Sequence, residues 1–190
     1  MATAILRTAT FRPAEIESMT GITPDSLRDL RKRGYFEQTE GWTAATLLQT
    51  ARLIIMSRLW EVGIKGAASW EIARYEDAAQ QVVAFALDFD DAVGRAAKVG
   101  LHLGNELPSW KLPLSHGKRR RFLCIFNLEP MKAFFTNDAK KIFYTHAEVP
   151  LLTLDLQAYG SLLFDNVGKP LIQIEGDSDA PRTGASGGSD

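Results

Sequence analysis

The five residues Thr20-Gly21-Ile22-Thr23-Pro24 constrain this chain more than any others, because they stop one helix and start the next within a few positions. Upstream, Pro13 suits the first position of a helix, and Ile16 and Met19 recur three apart, as residues facing a core do. Gly21 can take positive φ at the turn. Thr23 then reads as an N-cap, Pro24 as the first helical residue and Asp25 as an acidic complement to the helix dipole. Leu27 and Leu30 predict an inward edge, and Gly34 is the C′ residue that closes the helix. At about 100° per residue that edge leaves Arg28, Lys32, Asp25 and Asp29 on the opposite surface, flanked by Arg31 and Arg33. Two short helices, a glycine-bearing turn and a basic outer face on the second helix make a helix-turn-helix candidate. A solvated helix end that complements the dipole accounts for Arg31-Lys32-Arg33 equally well.

The next residues narrow the choice. Tyr35 to Trp42 is too short for another helix, and Glu40-Gly41 punctuates it like a small hairpin or wing. A third helix is predicted from an N-cap at Thr46 to Val62, with Leu47, Ala51, Ile54, Ile55, Leu59 and Val62 on an apolar seam and Gly63 as its stop. Gly66 to about Tyr75 reads as a fourth helix.

This order, over about residues 11–75, resembles the N-terminal domain of MerR-family transcriptional regulators. The resemblance rests on Thr20-Gly21-Ile22-Thr23, Leu27-Arg28 and Arg33-Gly34 for the turn and recognition helix. Gly41-Trp42 matches the start of the wing, and Leu59-Trp60-Glu61-Val62-Gly63-Ile64 matches a helix ending. The chain departs from the family pattern at Leu30, Thr43 and Ala45, where an aromatic, a basic residue and a second aromatic are usual. The smaller excisionase-like and phage packaging proteins share the same winged motif. The resemblance implies a DNA-binding surface. Arg28 would contact a phosphate or base edge, Lys32 and Arg12 would neutralise phosphates, and Arg33 would flank them. Thr23 and the helix start would donate to a phosphate oxygen. Trp42 would brace the wing or pack as a lid on the third helix, with Thr43 at the wing's basic position. Asp29 would accept from a cytosine amino group or pair with a neighbouring arginine.

The second half reads differently. Residues 77–99 carry a helical stripe (Val82, Phe85, Phe89, Val93, Ala96) interrupted by Asp88, Asp90 and Asp91. The resemblance implies a helix here that pairs antiparallel across a two-fold axis, shortened by Gly94, Gly100 and Gly104; Gln81–Phe89 as a strand is the alternative. Strands are predicted at Arg121–Asn127, Met131–Phe135, Lys141–Thr145, Leu151–Leu154 and Pro170–Glu175, with a helix over Asp155–Asn166. The expected fold class is α+β. It comprises an all-α winged helix-turn-helix (MerR-like) over 1–76, a small mixed α/β dimerisation or sensing domain over 77–176, and a disordered tail over 177–190 that lacks any large apolar residue.

Composition narrows the function classes. A hydrophobic fraction of 45% supports an ordinary core, and no apolar run approaches the roughly 18–20 residues of a membrane span. With no basic leader and a single cysteine, Cys124, a cytoplasmic protein is expected. His102, His116 and His146 are scattered without ligand spacing, and no Walker loop, dinucleotide fingerprint or nucleophile elbow occurs. No metal, cofactor or catalytic centre is therefore expected. Residues 1–75 carry ten Lys/Arg against eight Asp/Glu, a balance that does not decide DNA binding. Lys118-Arg119-Arg120-Arg121 is the strongest basic cluster, either a solvated loop or a second phosphate patch. The leading expectation is a dimeric, sequence-specific regulator binding double-stranded DNA, with an effector or RNA polymerase as further partners. A phage or mobile-element DNA-binding factor, and an interaction module that has lost DNA binding, are the alternatives.

Overall fold

The computed structural model describes residues 5–35, 44–98, 119–128, 130–144 and 151–175. Helices and short antiparallel sheets are mixed along the chain, as an α+β fold requires. The elements are β1 (Ile5–Thr8), β2 (Thr10–Phe11), α1 (Pro13–Thr20), α2 (Pro24–Lys32), β3 (Ala45–Thr46), α3 (Leu47–Glu61) and α4 (Gly66–Arg74). After a 3₁₀ turn at Tyr75–Asp77 come α5 (Ala78–Phe89), α6 (Ala92–Lys98), β4 (Phe122–Leu128), β5 (Met131–Thr136), α7 (Ala139–Tyr144), β6 (Leu152–Asp155), α8 (Leu156–Asp165) and β7 (Ile172–Glu175).

The expected third helix is the hub. Thr46 caps α3 by accepting from the Gln49 amide (3.2 Å) while the Gln49 side chain accepts from the Thr46 amide (2.9 Å), and Gly63 leaves the helix at φ 87°. Its residues are apolar nearly all round, which suits a helix packed on several sides: α1, α4, α5 and α8 all lie against it. Val62, expected on the apolar seam, is instead 62% exposed.

Gln81–Phe89 belong to α5, which removes the strand alternative for them, and a second helix, α6, follows over Ala92–Lys98. Gln80, Gln81, Val82, Val83, Ala84, Ala86 and Leu87 are all buried within the chain, because α5 lies between α3 and α8. Its crossing with α8 is close enough that a Cβ added at Gly160 would sit 2.6 Å from the Phe85 Cβ and 2.9 Å from the Val82 carbonyl oxygen. Only a glycine admits such an approach without displacement. The helix breaks at Asp90-Asp91, where Asp91 takes φ 48°. Buried Asp90 receives Arg95 and the Leu171 amide (3.1 Å), and Arg95 also donates to the Ile172 carbonyl (3.2 Å).

The three-stranded sheet runs β5-β4-β6, all antiparallel, with a bulge between Ile125 and Asn127. The strand expected at Lys141–Thr145 is a correction: Lys141–Tyr144 belong to α7. Asp138 starts that helix, its carboxylate accepting from the Lys140 amide (2.9 Å), and Ala139-Lys140-Lys141 favour helix over strand. Two further antiparallel pairings complete the fold, and the first joins the two ends of the described chain. β1 pairs with β7, Ile5 opposite Glu175 through Thr8 opposite Ile172, and β2 pairs with β3 across the segment expected to form the wing. One continuous buried cluster extends from Phe11 through Ile54 and Val82 to Leu163 and Ile172, so it crosses the division expected near residue 76. Residues 36–43 of the expected wing (Trp42 and Thr43 included), Lys118, the three histidines and the tail over 177–190 lie outside the described residues. Among the described residues no helix is long and apolar enough to cross a membrane.

Candidate nucleic-acid interface

The turn between α1 and α2 is built by its own side chains. Gly21 takes φ 69° and its amide donates to the Glu17 carbonyl (2.7 Å). Thr20 donates its hydroxyl to the Ile16 carbonyl (2.7 Å) and accepts from the Ile22 amide (3.1 Å). Thr23 then caps α2, accepting from the Ser26 amide (3.3 Å) and donating to the Ser26 hydroxyl (3.1 Å). Such a cap contributes about 1 kcal/mol. Leu27 and Leu30 are buried, each worth roughly 1.5–3 kcal/mol of apolar burial, and they dock α2 on the scaffold. Gly34, at φ 76°, ends the segment.

Docking the leucines inward sorts the polar residues onto two sides of α2. Arg28 and Lys32 are exposed on the outer side. Arg28 shares that surface with Asp25, to which its Nη1 donates at 2.7 Å; the two side chains are 53% and 83% exposed. Ser26, Asp29 and Arg33 lie along the other side, lining a cleft of about 530 Å³. The remainder of the cleft is formed by the α1–α2 turn, Tyr35, the end of α3 and the start of α4, including Trp60, Glu61 and Lys65. Asp29 and Arg33 are thus exposed, as expected of surface residues, but they share a wall with this cleft.

Arg12 occupies a third place. It is exposed at the N-cap of α1, where its amide donates to Glu15 (2.6 Å), and it lines a groove with Thr10, Pro13, Ala44 and Lys169. Lys169 reaches this groove from the turn before β7. Its ammonium donates to Glu15 (2.7 Å) and to the Thr10 carbonyl (3.0 Å), and lies 5.2 Å from the centre of the Phe11 ring. That hydrogen bond is the main reason the Glu15 carboxyl is held below its ordinary pKa. No local pattern marks Lys169, because its partners lie more than 150 positions away in sequence. Lys65 likewise carries no local mark, lying in the short turn between α3 and α4.

The second basic cluster is largely engaged within the chain. Arg119 is buried and ion-paired with Asp88, and burial holds its pKa below the ordinary value. Arg121 grips Asp155 through Nη2 (2.7 Å) and Nε (3.1 Å), which raises its pKa. The Arg120 amide donates to the Gln81 side chain (2.8 Å). Asn137 ties this loop down by accepting from the Arg121 amide (2.7 Å) and donating to the Arg119 carbonyl (2.8 Å). Arg119 and Arg121 therefore serve the junction of α5, β4 and α8, and the phosphate-patch alternative loses two of its cations. Cys124 is wholly buried, and that burial pushes its thiol pKa up, as suits a core residue.

The chain matches no protein-family model and no curated protein sequence.

Proposed function

We propose that the N-terminal helices form a winged helix-turn-helix of the MerR type that binds double-stranded DNA, and that the protein is a sequence-specific transcriptional regulator. One observation carries the reading: α2 is held by Leu27 and Leu30 on one side and leaves Arg28 and Lys32 exposed on the other. A helix so mounted can enter a major groove, about 12 Å wide, with its basic side leading. The β2–β3 pairing supports the same reading, because it joins the strand before α1 to the strand after the expected wing. In this proposal Arg28 and Lys32 meet the duplex directly, Thr23 and Arg12 lie towards flanking phosphates, and Trp42 and Thr43 belong to the wing. Asp29 and Arg33 stand at the edge of the contact surface.

Binding to a palindrome as a homodimer belongs to the proposal, since two-fold sites are the common way to double such contacts. The buried α5 leaves pairing to another surface. The direct test is selection of bound duplexes from a random library at near-physiological salt. The reading expects one enriched motif with a preference of about 10³ or more over random DNA. Binding without enrichment would favour an architectural factor of mobile elements, and no salt-dependent binding would favour a protein-interaction module.

A further inference from the structure

We propose that the cleft behind α2 binds a small amphoteric molecule: an amino-acid-like zwitterion with an aromatic or branched apolar body. Its volume of about 530 Å³ lies within the roughly 300–1,000 Å³ of small-molecule sites. Ile22 and Leu30 are buried along its floor, and the half-buried rings of Tyr35 and Trp60 complete an apolar surface. The Trp60 indole is fixed, donating to the Ser69 hydroxyl at 2.9 Å.

The charges around this surface select the ligand. Asp29 and Arg33 stand one helical turn apart, a spacing at which opposite charges commonly pair. Neither forms an ion pair with any described residue, and neither does Lys65 across the cleft. The remaining charged group of the lining, Glu61, is engaged by Arg58 at 2.5 Å. A simple anion would meet Asp29 and Glu61, and a simple cation would meet Arg33 and Lys65. A zwitterion satisfies both sets: its ammonium against Asp29, its carboxylate against Arg33 and Lys65, its side chain on Trp60 and Tyr35.

One consequence rests on the DNA-binding reading. The cleft is walled on one side by α2 and on the other by the turn from α3 to α4, so its occupant fixes the attitude of the recognition helix. Ligand and DNA affinities are then linked, each changing the other by the same factor.

The test uses the full chain labelled with ¹⁵N, with L-phenylalanine and L-leucine as probes. N-acetyl-L-phenylalanine, which lacks the ammonium, and L-phenylalaninamide, which lacks the carboxylate, are the controls. At least one zwitterion is expected to shift the Trp60 indole resonance (assigned with Trp60→Phe) and the Gly66 amide saturably, with a dissociation constant of about 1 mM or below. Each blocked derivative is expected to bind at least about tenfold more weakly, which corresponds to the loss of one charged contact. The exposed substitutions Asp29→Asn and Arg33→Gln should weaken binding similarly without altering the remaining spectrum, and Lys65→Gln checks the opposite wall. No saturable shift with either zwitterion overturns the site. Equal binding of the blocked derivatives overturns it too, as does undiminished binding by the variants. DNA affinity is measured separately with and without the probe. A bound probe that leaves DNA affinity unchanged overturns the linkage alone, whereas a protein that binds no DNA overturns the regulator reading and leaves the site to be judged by the probe.

Discussion

Gly160→Ala places one methyl group where α8 crosses α5, and its effect can be worked from the geometry. The new Cβ would stand 2.6 Å from the Phe85 Cβ, 2.9 Å from the Val82 carbonyl oxygen and 3.0 Å from the Ala86 nitrogen. Carbon atoms in contact settle at about 3.5–4.0 Å, so the helices must part by roughly 1 Å. Two of the three obstacles are backbone atoms of α5, which cannot turn aside as a flexible side chain could. Overpacking costs about 1–3 kcal/mol, and with backbone in the way the upper part of that range, roughly 2–3 kcal/mol, applies. Alanine recovers about 1 kcal/mol over glycine in a helix interior, leaving a net loss of roughly 1–2 kcal/mol. In a chain of this size each kcal/mol lowers Tm by about 2–4 °C. Urea unfolding followed by circular dichroism reads the loss directly as a lower midpoint at unchanged slope. An unchanged or raised midpoint would refute the close crossing of α5 and α8.

Further outcomes follow from the same contacts. Asp25→Asn removes a carboxylate that competes with phosphate for Arg28, so DNA affinity is expected to rise several-fold at low salt in a binding titration; an unchanged or lowered affinity contradicts that role. Lys169→Met should make stability less sensitive to acid. The folded Glu15 pKa lies below its ordinary 4.5, so its contribution is present above that value and lost as pH falls through the folded pKa, and the variant has less to lose. Unfolding midpoints at neutral pH and near pH 3 check this, and equal acid sensitivity of the two proteins contradicts it. The Cys124 thiol should react with a thiol reagent only as fast as the chain opens, and rapid reaction in the native state would contradict its burial.

What could be read along the chain was local. The caps expected at Thr23 and Thr46 form, each accepting from the backbone amide three positions on. Gly21, Gly34 and Gly63 all take the positive φ that a turn or helix end demanded of them, and Leu27 and Leu30 face the core as their spacing required. Each of these needs only neighbours within a turn or two. The β1–β7 pairing joins the two ends of the described chain, and a strand such as Ile5-Leu6-Arg7-Thr8 carries no mark of such a distant partner. The Lys169 clamp on Glu15 is hidden for the same reason. Lys141–Tyr144 misled because an apolar, aromatic end suggests a strand, whereas Asp138 capping from outside the segment decides for helix. The sides of α2 were half legible: the leucines predicted an outward face, but only the packing of α3 and α4 beside it turns Asp29 and Arg33 towards a cleft.

The salt dependence of DNA binding by the Arg28→Ala/Lys32→Ala protein, compared with the unaltered chain on the best selected duplex, tests the central claim most directly. Each phosphate contact contributes about −0.9 to the slope of log K against log salt concentration. If both residues neutralise phosphates, the slope should become shallower by about two, with affinity falling on every sequence alike. A parallel line at undiminished affinity would place α2 outside the interface, and an unaltered protein that binds no duplex at any salt concentration would end the DNA-binding account altogether.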